Sequence, residues 1–61
     1  MKTGTKVTWL NPVNGIEANE MFFVIEDRDT NILVCAVSQM GWRITPTFVY
    51  SKAEMKIVTN N

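Results

Sequence analysis

The chain has no histidine and a single cysteine, Cys35, in 61 residues. Without histidine it lacks the side chain that most often acts as a general base near neutral pH. One thiol cannot close an intrachain disulfide, and one thiol with scattered carboxylates is not a zinc set. No Gly-x-Gly-x-x-Gly or Walker segment is present to cradle a phosphate. The sequence therefore predicts no catalytic residue, no metal and no cofactor. Charge of one sign is missing too, since six basic and six acidic residues cancel. Non-specific nucleic-acid binders carry a basic excess, so the balance counts against that class. No apolar run approaches the roughly 20 residues of a membrane span, and MKTGTKVTWL lacks the apolar stretch of a signal peptide. A soluble, cytoplasmic protein without a membrane partner is expected.

What is present suits one small folded domain over residues 1–61, with 59–61 as a frayed tail. Hydrophobic residues make up 46% of the chain, a globular rather than a disordered share. A domain this small buries only about 60% of its unfolded surface, so its stability is marginal unless something adds to it. With disulfides excluded and metal ligands scarce, close packing or self-association remains.

Five short strands can be read along the chain. Residues 5–10, TKVTWL, alternate with Val7 and Trp9 on one face and Lys6 and Thr8 on the other. Asn11-Pro12 ends that strand, and Asn14-Gly15 signals a tight turn in a loop running to about Asn19. Val13 and Ile16 are expected to tuck back onto the sheet. Residues 21–26 and 32–37 form two strongly apolar strands, and the polar 27–31 between them implies an antiparallel hairpin. Ser38 to Gly41 breaks the run, Trp42 to Thr45 can extend a strand, and 47–50 is the fourth strand. Ser51-Lys52-Ala53-Glu54 matches the S-x-x-E capping box, predicting a single helical turn before a fifth strand at 55–58.

Neither hairpin strand alternates cleanly, so both of its faces are apolar. One face must fill the core, and the other is expected to meet a protein partner or a second copy of the chain. Phe22, Val24 and Val34 are candidates for that contact, with Trp42, Arg43 and Tyr50 from the later strands. An alternative is a nucleic-acid surface in which Trp42 stacks and Arg43, Lys6 and Lys52 contact phosphate. Cys35, inside an apolar strand, reads as a small buried hydrophobe. Glu26, Asp27 and Asp29 lack the spacing of a calcium loop and read as a solvated hairpin tip.

The element order resembles the SH3-like small barrel: a long first loop, a tight central hairpin and one helical turn before the last strand. The opening G-T-K-V-T-W-L-N-P, Gly4 to Pro12, is similar to the start of bacterial SH3-like and KOW-type domains. The resemblance implies an all-β, five-stranded barrel, and KOW-type relatives often contact RNA. The plasmid-borne type of dihydrofolate reductase is similar in fold, but of its pore-forming V-Q-I-Y segment only the isoleucine is shared in Trp42-Arg43-Ile44-Thr45. In peptide-binding SH3 domains, aromatic and acidic residues of the first long loop grip the ligand. The loop here has Glu17 and Glu20 but no aromatic residue.

Overall fold

The computed structural model describes residues 1–59. Its elements are β1 (Lys6–Trp9), α1 (Gly15–Asn19), β2 (Phe22–Arg28), β3 (Asn31–Ala36), β4 (Phe48–Ser51) and β5 (Met55–Ile57). Single 3-10 turns lie at Val37–Gln39 and Lys52–Glu54. The strands form one antiparallel sheet in the order β4-β3-β2-β1-β5. The architecture is the all-β, five-stranded one the sequence predicts, with the helical turn before the last strand. No ladder joins β4 to β5 among the described residues, so hydrogen bonding leaves the sheet open along those edges. Among those residues no helix is long and apolar enough to cross a membrane. The tail expected at 59–61 lies outside them except for Thr59.

The hairpin runs further than its polar tip suggests. Asp27 pairs with Ile32 and Arg28 with Asn31, leaving Asp29-Thr30 as the turn. Asp29 has φ 74°, a left-handed conformation that aspartate tolerates better than most side chains. A bulge shifts the register between Val24 and Glu26. Beyond it Asp27, not Glu26, stands opposite the inward Ile32.

Val7, Phe22, Val24, Ile32, Val34 and Met55 form the core, packed by Trp9, Phe48 and Tyr50. Phe22, Val24 and Val34 were expected at a partner surface. They are instead 2%, 1% and 0% exposed, so the three form no outward-facing surface in the folded chain. The reason lies in β1. Its Lys6 and Thr8 must face water, so Val7 faces inward, and Val7 pairs with Phe22. Directly paired residues share a face, so β1 draws the Phe22 side of the hairpin into the core. Phe23, Leu33 and Val49 are left on the outer face with the exposed bulge residue Ile25.

Three local expectations change. Asn14-Gly15 is not a turn: Asn14 caps α1, its side chain accepting from the Glu17 amide at 2.8 Å while Glu17 Oε1 accepts from the Val13 amide at 3.2 Å. Val13 and Ile16 do not tuck back but stand exposed, because the capped turn lifts them off the sheet. At Ser51 the reverse holds. The turn forms, but the Ser51 side chain makes no capping bond, since three residues of 3-10 helix do not build the expected box. Trp42 to Thr45 form no strand; Gly41, at φ 100°, turns the chain away from β3.

Candidate interaction surface

One end of the sheet gathers a groove and an exposed loop. The groove has a volume of about 650 Å³ and lies between α1, the end of β3 and β4. Phe22, Phe48 and Tyr50 line its aromatic side, with Ile16 and Met21 on the α1 side and Gln39 opposite. Strand periodicity explains the aromatic wall. Phe48 and Tyr50 are two apart on β4 and so share a face, their rings 5.8 Å apart and within 6° of parallel. Tyr50 also packs against Trp9 at 4.8 Å and edge-on against Phe22 at 5.5 Å. These contacts hold the ring where it is both core wall and groove lining.

The cap at Asn14 places α1 so that the chain re-enters the sheet through Glu20. The Glu20 carboxylate accepts from Trp9 Nε1 at 3.0 Å, and its carbonyl accepts from the Thr8 hydroxyl at 2.6 Å. Burial pushes the Tyr50 phenol above its ordinary value, and the Glu20 and Glu17 carboxylates add to the shift. Among the described residues Glu20 is the only charged one lining the groove. Gln39 Oε1 is buried there without a hydrogen-bond partner. The groove is therefore largely apolar and aromatic, with one carboxylate and the polar side chains of Asn19, Ser38 and Gln39 in its lining.

The β3–β4 loop leaves the groove wall at Gln39, whose carbonyl accepts from the Trp42 amide at 3.2 Å. Met40, Trp42, Arg43 and Ile44 are all exposed on it, Trp42 at 57% and Ile44 at 84%. Tryptophan and arginine are both enriched among the residues that dominate binding energy at protein interfaces. A second depression, of about 420 Å³, lies across α1 between Trp9, Val13 and Glu54.

Of the residues expected to meet a partner, Trp42, Arg43 and Tyr50 sit at this end, and Phe22 contributes only to the groove wall. The residues of the aromatic-basic edge come from different parts of the fold. Trp42 and Arg43 lie in the loop that follows the Ala36 end of β3, whereas the Lys52 amide donates to the Thr30 carbonyl beside the Asn31 end of that strand. Lys52 is also engaged, its Nζ 2.7 Å from Asp27 Oδ1. Asp27 is no solvated tip residue. Lys52, the α-ammonium of Met1 and the Asp29 amide hold its carboxyl well below the usual carboxylate range, Lys52 contributing most. Lys6 lies on β1, paired with Phe23 on the outer face.

Sequence reading missed Ile16, Glu20 and Gln39. The first two had a signal in Asn-x-x-Glu at 14–17, which predicts a helix start and so a rigid lip to the groove. Gln39 had none. Compared with known proteins, the chain matches no family model, no curated protein and no solved structure.

Proposed function

We propose that this chain is a non-enzymatic interaction module on an SH3-like small barrel, binding a protein partner at the groove and the β3–β4 loop. The observation that carries the reading is the gathering of exposed apolar side chains at one end. Ile16 and Met21 line an aromatic-walled groove, and Met40, Trp42 and Ile44 stand exposed on the loop that leaves its wall at Gln39, in a chain whose core closes without them. Scattered exposed apolar residues need no explanation, but several on a groove and the loop that adjoins it do. The strand order and the turn before β5 support the SH3-like assignment. The absence of histidine supports binding rather than catalysis.

Affinity capture with wild-type, Trp42→Ala and Ile44→Asp baits, with and without nuclease, tests the proposal. A protein retained by wild type should bind Trp42→Ala about thirtyfold more weakly, as loss of a hot-spot contact of about 2 kcal/mol implies. Equal recovery on all three baits would refute the site. Recovery abolished by nuclease would favour nucleic acid as the ligand instead.

A further inference from the structure

Strand β4 forms one edge of the sheet, and its outer side is bare. It pairs with β3 alone, from Asn31 with Ser51 to Val34 with Phe48. Among the described residues no other backbone hydrogen bond involves Phe48–Ser51. An edge strand offers a row of free N–H and C=O groups, and proteins usually blunt such edges with charge, proline, bulges or shortness. The opposite edge follows that practice: β5 is three residues long, with Lys56 at its centre. β4 does not. Its four residues FVYS carry no charge, nor do residues 44–47 before it, and Pro46 lies outside the strand.

We propose that β4 pairs antiparallel with β4 of a second copy about a two-fold axis at Val49, joining two sheets into one of ten strands. Side-chain alternation sets the register. Residues directly opposite in an antiparallel pair share a face. Phe48 and Tyr50 face inward and Val49 outward, so matched faces require one residue on the axis. Val49 is the choice that keeps both Pro46 and Lys52 out of the ladder, since an axis at Phe48 would set Pro46 opposite Tyr50 and one at Tyr50 would set Lys52 opposite Phe48. Phe48 then falls opposite Tyr50 of the second copy, extending the existing Phe48–Tyr50 stack across the junction. A second copy suits this edge because an isologous contact must tolerate facing itself. A charge-free strand on a chain of zero net charge does so. On the outer face Val49, which is 51% exposed, and Leu33 beside it would continue into their counterparts. A four-residue ladder is a small interface, so the pair should exchange with concentration in the manner of weak complexes that bury less than about 1,200 Å². This goes beyond binding a partner, since it sets two grooves side by side.

Sedimentation equilibrium over a concentration series tests it on four samples: wild type, Val49→Lys, Val49→Glu and an equimolar mixture of the two variants. Wild type should move from one chain to two. Each variant should stay at one chain with its dimer weakened at least about tenfold, because like charges would face each other across the axis. The mixture should regain the dimer. A wild type that stays at one chain, variants that dimerise as wild type does, or a mixture that stays monomeric would each overturn the proposal. If a variant fails to fold, amide exchange on wild type decides: β4 amides should gain protection with concentration, and protection that does not change refutes the pairing.

Discussion

Replacing Phe22 and Phe23 by alanine, one at a time, should separate two neighbours that differ only in the face they occupy. Phe22 lies in the core, with the rings of Trp9 and Tyr50 edge-on at 5.8 and 5.5 Å. Truncating such a side chain removes its transfer free energy and leaves a cavity, a loss of about 3–5 kcal/mol. A domain of 61 residues has only roughly 3–9 kcal/mol in total. Phe22→Ala should therefore be mostly unfolded at 25 °C or melt far below wild type. Phe23 is half-buried on the outer face, opposite Cys35. Its truncation should remove about 1 kcal/mol and lower Tm by roughly 4–8 °C. Urea unfolding followed by far-UV circular dichroism, with a thermal melt, measures both. Equal losses, or a larger loss at Phe23, would refute the assignment of faces and the β1 register that imposes it.

Asp27 makes stability depend on acid. Its carboxyl titrates below the unfolded value of about 3.9, so its ion pairs stabilise the fold above that pH and are lost as pH falls below it. Tm should drop between about pH 5 and pH 2, and Asp27→Asn should flatten that drop while lowering Tm at neutral pH. Asn14→Ala should cost about 1 kcal/mol, whereas Ser51→Ala should cost much less, because only Asn14 makes its capping bond; the two denaturation midpoints decide. Glu20→Gln should lower the pKa of Tyr50 in an ultraviolet titration by removing a nearby negative charge. An unchanged phenol titration would mean that the Glu20 charge does not contribute to it.

Strands with clear alternation or strong β propensity were legible. β1 was readable to within a residue or so, as were the hairpin and the corner before β5, because period-two patterning and turn chemistry are local. The hairpin face was not, because both faces are apolar; it becomes legible only through the alternation of β1 combined with the pairing of Val7 and Phe22. Helix α1 was hidden by reading Asn-Gly as a turn, although Asn-x-x-Glu at 14–17 carried the competing signal. At the candidate site, Trp42 and Arg43 were legible as residues with something to offer. The groove beside them was not, since its walls come from α1, β3 and β4 at once.

By itself the sequence determined the class and the limits: an all-β fold of five short strands, with no histidine, no intrachain disulfide and no net charge. Those properties follow from composition and from neighbours along the chain. Only the tertiary structure decided which apolar residues form the core, where Asp27 finds its cations, and that β4 ends the sheet with a bare edge. Each of these depends on which strand lies beside which, and sheet pairing joins residues too distant in sequence for any local pattern to specify.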